Sequence, residues 1–161
     1  MNSDKMTERA SRWLPAGLLI AAAVLGATAW YFKDYFHPKA TVELALDRNC
    51  DLHSGACSRP LPGGGEIRFS IEPKEIPLTR PLQLEVTVSG LAVDDVEIDF
   101  SGANMNMGYN RPHLKAVGQG VFRGEGLLPV CVRQRMLWNA RVLLYTSDGI
   151  LAVPFQFETV K

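Results

Sequence analysis

The chain has 161 residues with 17 basic and 17 acidic side chains, so its formal net charge is zero. This balance excludes the strong positive field of a nucleic-acid-binding protein. With 47% hydrophobic and 21% charged residues, the composition is that of a folded chain, and the part that follows the first forty or so residues is long enough for one hydrophobic core.

An uncharged segment of twenty residues, 13–32, reads WLPAGLLIAAAVLGATAWYF. Twenty helical residues rise about 30 Å, the thickness of the hydrocarbon core of a bilayer, so the segment predicts a transmembrane helix. Trp13 at one end and Trp30 with Tyr31 at the other are typical of the two membrane interfaces. The alternative is a cleaved signal peptide, because residues 27–29 have the small-x-small form of a cleavage site.

Basic residues flank this segment on both sides, at positions 5, 9 and 12 before it and at 33, 39 and 48 after it. Because the first three share a short tail with the terminal amine, the positive-inside rule favours a cytoplasmic N-terminus. We therefore predict a cytoplasmic tail at 1–12, a transmembrane helix at 13–32, a linker at 33–40 and an exported domain at 41–161. In a bacterium the domain would lie in the periplasm, on a single-pass inner-membrane protein.

Short runs of alternating hydrophobic residues recur after residue 40 and are typical of an all-β domain. We count about seven such runs and no amphipathic helix, which predicts an immunoglobulin-like sandwich of two antiparallel sheets. The runs lie at 42–46, 67–71, 82–88, 96–100, 121–127, 136–144 and 151–157. Trp138 would then be a core residue. Pro154 cannot donate a ladder hydrogen bond, so the last strand should lie at an edge or be interrupted there.

Three cysteines, Cys50, Cys57 and Cys131, lie in the part predicted to be exported, where thiols are normally oxidised to disulfides. The odd number predicts one structural disulfide and one remaining thiol, which is either inert and buried or has a metal or redox role. We slightly favour Cys57 with Cys131, because that bridge would constrain more chain than one between Cys50 and Cys57.

The sequence also contains the pair Met105 and Met107, followed by His113. If the strand at 96–100 continues with its alternation unbroken, both methionines fall on its outer face. Two thioethers on one side of an extended segment, with an imidazole nearby, suit monovalent copper. The alternative is a bulge at Gly102, which would shift the alternation and bury the pair as ordinary core residues.

Residues 81–144 resemble the FixH/YtkA-like group of membrane-anchored bacterial domains. The segments that carry the resemblance are LQLEVTV from Leu82, VEIDF from Val96, MNMG from Met105, GVFRG from Gly120 and WNARV from Trp138. The resemblance implies an immunoglobulin-like sandwich and a role in copper handling and in the assembly of haem-copper oxidases. The cysteine segments at 50–57 and 128–131 are not part of that pattern, so the chain resembles a cysteine-containing subgroup.

These features predict a membrane-anchored copper-binding or copper-delivery protein that assists assembly of a haem-copper respiratory oxidase. Met105 and Met107 would be thioether ligands of Cu(I), with His113 as the candidate third ligand. The cysteines, Cys50, Cys57 and Cys131, would form either a redox-gated thiol site that can hold the metal or a staple of the fold.

The competing hypothesis is a non-catalytic accessory subunit of a membrane respiratory complex, with no metal of its own. Its helix would pack on a partner through small residues, Gly17 with Ala21 and Ala22 with Gly26. An enzyme is not predicted under either hypothesis, because the sequence supplies no C-x-x-C or H-E-x-x-H motif and no recognisable catalytic triad.

Overall fold

A computed structural model of the chain describes residues 17–32, 39–130 and 133–160. The chain divides into two compact units, Met1–Lys39 and Ala40–Lys161. In the first unit residues 17–32 form an α-helix within the segment predicted to cross the membrane. Among the described residues no helix is both long and apolar enough to span a bilayer. The predicted tail, residues 13–16 of the predicted span and residues 33–38 of the predicted linker lie outside the described residues.

The second unit, called the β domain below, contains nine described strands, and all nine belong to one sheet. They are β1 (Val42–Glu43), β2 (Cys57–Pro60), β3 (Glu66–Glu72), β4 (Leu82–Ser89), β5 (Asp95–Gly102), β6 (His113–Gly118), β7 (Val121–Gly126), β8 (Arg135–Thr146) and β9 (Gly149–Val160). The all-β prediction is therefore confirmed.

The strand order is β1-β9-β8-β5-β6-β7-β4-β3-β2, and β1 pairs with β9 in parallel while the other neighbours are antiparallel. The sheet curls, because Phe69 on β3 and Phe155 on β9 pack with ring centroids 5.2 Å apart although five strands separate them in the order. β2 and β1 are the first and last strands of this order, yet the Arg59 side chain on β2 donates a 2.8 Å hydrogen bond to the Ala45 carbonyl just after β1. The sheet is thus continuous and mixed, where two antiparallel sheets were predicted.

The core lies between the facing halves of the curled sheet. Along β4 the four hydrophobic residues are buried while the intervening positions are half-buried or exposed, as the alternation in sequence predicts. Trp138 is fully buried, and its indole N–H donates a 2.9 Å hydrogen bond to the Thr159 hydroxyl, so its one polar atom is satisfied inside the core. Trp138 is therefore a core residue, as predicted.

The seven predicted runs all contain strand residues, but β2 and β6 are not among them. Each of these strands has a single buried residue, Cys57 on β2 and Leu114 on β6, so neither shows a hydrophobic alternation in the sequence. The prediction for Pro154 holds only for the local position: β9 runs through Pro154 without interruption, and β1 lies outside β9 in the strand order, so β9 as a whole is not an edge strand. β1 pairs with β9 at Leu151 and Ala152, and Pro154 lies two residues beyond that pairing.

Candidate metal site

The first predicted ligands, Met105 and Met107, lie in the segment between β5 and β6, called the methionine loop below (residues 103–112). Strand β5 ends at Gly102, so its alternation does not continue into the loop. Both methionines are half-buried and pack against the hydrophobic core. The prediction that they lie on the outer face of a continuing strand is wrong, and the packed alternative is the observed arrangement.

A third methionine, Met136 on β8, lies beside the same loop. Gly102 pairs with Trp138, which places Met136 two residues further along the neighbouring strand. A Cβ atom added to Gly102 would collide with Met136 Cε, and it would lie 3.2 Å from Met107 Cγ and 2.5 Å from the Met105 carbonyl oxygen. The missing side chain of Gly102 therefore leaves room that the Met136 methyl group fills, next to the Met107 side chain and the Met105 backbone.

The methionine loop turns back along the strand it has just left. The Asn106 side chain accepts a 2.8 Å hydrogen bond from the Gly108 amide, and Gly108 has a φ of 78°, a conformation that glycine adopts without strain. The amides of Phe100 and Ile98 then donate to the carbonyls of Asn110 and Pro112 at 2.9 and 3.0 Å. The returning chain consequently runs antiparallel to β5 and moves away from the two methionines.

This return path carries His113 to a different part of the domain. His113 pairs with Glu97, five strand residues or about 17 Å from Gly102. Its Nε2 lies 2.6 Å from an oxygen of Asp95, and more than half of the side chain is exposed. The structure does not bring His113 to Met105 and Met107. The physical reason is the hairpin, which separates residues that are close in sequence.

Cys50 and Cys57 form a disulfide, with Cα atoms 5.7 Å apart. The slight preference for Cys57 with Cys131 is therefore wrong, since Cys57 is already paired. Disulfide sulfurs are not thiolates, so Cys50 and Cys57 are not metal ligands in this state. Cys131 lies outside the described residues, and the role of its thiol stays a prediction.

The outer face of β5 and β8 carries the main ion pairs near the loop. Asp99 lies 3.7 Å from Arg111 and 3.6 Å from Arg141, and Arg141 also lies 3.2 Å from Glu43 on β1. The Arg111 side chain is 4% exposed, and Leu143 on the same face is fully buried. These contacts link charged side chains of β1, β8, β5 and the methionine loop, and part of this face is shielded from water.

Carboxylate, imidazole and thiolate groups do not assemble a metal site in the part of the chain that the structure describes: no group of three or more His, Cys, Asp or Glu residues there could hold an ion. The methionines form a different donor set. Thioethers are neutral, soft ligands with no proton to lose, which suits Cu(I) and not the hard cations Mg²⁺ and Ca²⁺. Met105, Met107 and Met136 are thus the candidate metal-binding residues of this curled all-β domain.

Sequence reasoning treated Met136 only as one position of a strand pattern. Met136 lies beside the methionine loop because β5 pairs with β8, which brings together residues about thirty positions apart in the sequence. The alternation at 136–144 revealed that Met136 faces inward, but no signal in the sequence named its partner strand.

No protein-family model matches this chain, and no curated protein matches it. The resemblance to the FixH/YtkA-like group thus rests on the segments quoted above.

Proposed function

We propose that the chain is a membrane-anchored protein whose exported β domain binds or delivers Cu(I) during assembly of a haem-copper respiratory oxidase. The observation that carries the proposal is the close approach of the Met107 and Met136 side chains beside Gly102, with the Met105 backbone next to them. A soft, neutral donor set next to half-buried loop residues fits a monovalent ion that must both enter and leave.

The immunoglobulin-like sandwich belongs to the same proposal. Facing halves of the curled sheet enclose one core, as the two sheets of a sandwich do, and β6 joins them by pairing with both β5 and β7. The membrane anchor is supported by the uncharged run at 13–32, of which residues 17–32 are helical. The disulfide supports export, because such bonds persist in oxidising compartments.

The test is a Cu(I) titration of the full-length protein in mild detergent against a competing chelator. Met105→Leu/Met107→Leu keeps the apolar volume that packs against the core but removes two sulfurs, so Cu(I) binding should be lost while the fold remains. Met6→Leu, in the predicted tail, is the matched control and should bind copper as the wild type does.

The competing hypothesis, an accessory subunit without a metal, predicts a different result. Both methionines then serve only as packing residues, so the double variant and the wild type would take up no Cu(I) at all. Mass spectrometry of the protein purified in mild detergent separates the hypotheses a second way, because it records bound copper and copurifying respiratory subunits in one measurement. Equal copper uptake by the wild type and the double variant would remove Met105 and Met107 from the mechanism.

A further inference from the structure

We propose that His53 is a pH-sensitive switch that links the two sides of the opening of the curled sheet. This opening lies between the terminal strands of the order, with β1 and β9 on one side and β2 and β3 on the other. His53 belongs to the loop that the disulfide closes, called the cysteine loop (residues 50–57). The protonated ring joins both sides, and loss of its proton releases one of them. This inference goes beyond the copper proposal and does not depend on it.

The two ring nitrogens of His53 contact one acceptor on each side of the opening. Nδ1 lies 2.7 Å from the carbonyl oxygen of Lys74, in the turn after β3, and Nε2 lies 2.7 Å from the carbonyl oxygen of Glu158 on β9. A carbonyl oxygen only accepts hydrogen bonds, so each contact needs an N–H group on the ring. Neutral imidazole has one N–H group, whereas the imidazolium ion has two. The observed pair of hydrogen bonds is therefore complete only when His53 is protonated.

The Glu158 carbonyl belongs to the part of the β9 edge that lies beyond β1. Strand β1 pairs with β9 at Leu151 and Ala152, and the Ala152 carbonyl accepts a 3.0 Å hydrogen bond from the Leu44 amide. Because the backbone groups of a strand point to alternate sides with a period of two, the carbonyl of Glu158 points to the same side as that of Ala152, away from β8. The His53 ring thus takes the place of a neighbouring strand at this edge.

Two carboxylates interact with the charge of the ring. The pKa of Asp51, in the same loop, is lowered by the Ser54 hydroxyl, by the His53 amide that donates to it at 3.0 Å, and by the positive charge of the His53 ring. The pKa of Glu158 is lowered mainly by Arg135, which donates to it at 2.7 Å, and also by the charge of His53. Because attraction between charges is mutual, both carboxylates stabilise the imidazolium ion.

The nearby cations are paired with other groups. The Lys74 ammonium lies 3.1 Å from Glu72 and donates a 3.1 Å hydrogen bond to the Ile71 carbonyl. Arg135 forms its ion pair with Glu158, and Glu75, the residue after Lys74, is an exposed carboxylate. The positive charges of Lys74 and Arg135 are thus largely neutralised, and little repulsion opposes a proton on His53.

NMR of the ring nitrogens tests the switch on the full-length protein in mild detergent. With ¹⁵N-labelled histidine, His53 at about pH 5.5 should show two ring N–H groups that exchange slowly with water, and one of them should be lost at about pH 8. The signals of the other two histidines are assigned by their loss in His37→Gln and His113→Gln. Fewer than two slowly exchanging N–H groups on His53 at pH 5.5 would overturn the proposal.

Chemical denaturation of the same protein at both pH values measures the energetic effect. The protonated ring makes one more charge-assisted hydrogen bond than the neutral ring, so the contribution of His53 to stability is complete in acid and declines as the pH rises. The ratio of the unfolding equilibrium constant of His53→Gln to that of the wild type should be about tenfold larger at pH 5.5 than at pH 8.

The matched control is His113→Gln, at a histidine whose side chain is 54% exposed and which contacts Asp95 on β5. Introduced alone and together with His53→Gln, it should leave the pH-dependent ratio unchanged. An equal ratio at both pH values would show that the proton on His53 does not control the link. If His53→Gln does not fold, the NMR measurement decides, because it requires no change at His53.

Discussion

Tyr145 shows how a single side chain can link two strands on the outer face of the β domain. Its hydroxyl donates a 2.6 Å hydrogen bond to Glu97, which lies on the neighbouring strand β5. Partial burial raises the pKa of Tyr145 well above its usual value, and the hydrogen bond to the Glu97 carboxylate and its negative charge raise it further. The neutral phenol is thus the form that the folded state stabilises.

The raised pKa of Tyr145 predicts a stability loss in alkaline solution. Because the folded pKa exceeds the unfolded one, the contribution of this group is fully present below about pH 10 and declines as the pH rises above that value. Relative to Tyr145→Phe, the wild type should therefore lose unfolding free energy between pH 10 and 11.

Chemical denaturation of both proteins at pH 8, 10 and 11 measures this effect, with Tyr109→Phe, at an exposed tyrosine, as the matched control. Parallel pH profiles for the wild type and Tyr145→Phe would contradict the prediction.

At the scale of an element, the cysteine loop (residues 50–57) acts as a connector. Leu52 within it is fully buried, and the two ring nitrogens of His53 each lie 2.7 Å from a carbonyl oxygen, that of Lys74 after β3 and that of Glu158 on β9. The Ser54 hydroxyl donates to Asp51 and holds the pKa of that carboxyl below its usual range. One short loop therefore joins β2, the segment after β3 and the end of β9.

Removing the disulfide should destabilise this connector. In the loop-entropy account, a bridge that closes about eight residues contributes about 2.5 kcal/mol, so Cys50→Ser/Cys57→Ser should lower the unfolding free energy by roughly that amount. Reduction of the wild type should produce the same loss, and reductant should have no effect on the double variant. A non-reducing peptide map that links Cys57 to Cys131 would contradict the pairing itself.

The strands differ in how well the sequence predicts them. Strands β3, β4, β5, β8 and β9 alternate between buried and less buried positions along most of their length, so their hydrophobic residues recur with a period of two. β6 has a single buried residue and therefore has no such period. The start of β6 was predicted to contribute a metal ligand because His113 is close to the two methionines in sequence. In the structure the hairpin of β5 and β6 separates them.

At the scale of the whole molecule, the sequence predicted an enclosed all-β core but not how the sheet closes. Alternation shows which side chains face inward, whereas the partner of each strand depends on contacts between distant residues. The single sheet arises because Leu114 on β6 pairs with β5 and the next residue, Lys115, pairs with β7. Because contacts between distant residues cannot be read from alternation, the sequence did not predict that Met136 lies beside the methionine loop, nor which cysteines form the disulfide.

The disulfide bears on where the whole molecule resides. A Cys50–Cys57 bond persists in an oxidising compartment, and the uncharged run at 13–32 with three basic residues before it favours export of everything that follows. The oxidation state of Cys50 and Cys57 should therefore depend on the side of the membrane on which the β domain lies. If the β domain is moved to the cytoplasm, both cysteines should be reduced.

The final prediction is that a bacterial cell retains residues 13–32 as an anchor and exports the β domain. A reporter fused after Lys161 should be active only if it matures outside the cytoplasm, and thiol labelling should find Cys50 and Cys57 oxidised. Replacing the basic residues Lys5, Arg9 and Arg12 with glutamine should reduce export, since they provide the charge difference that favours this orientation. Activity of a cytoplasm-dependent reporter at the same position would overturn the orientation. A mature protein beginning at Trp30 would show that the segment is a cleaved signal peptide.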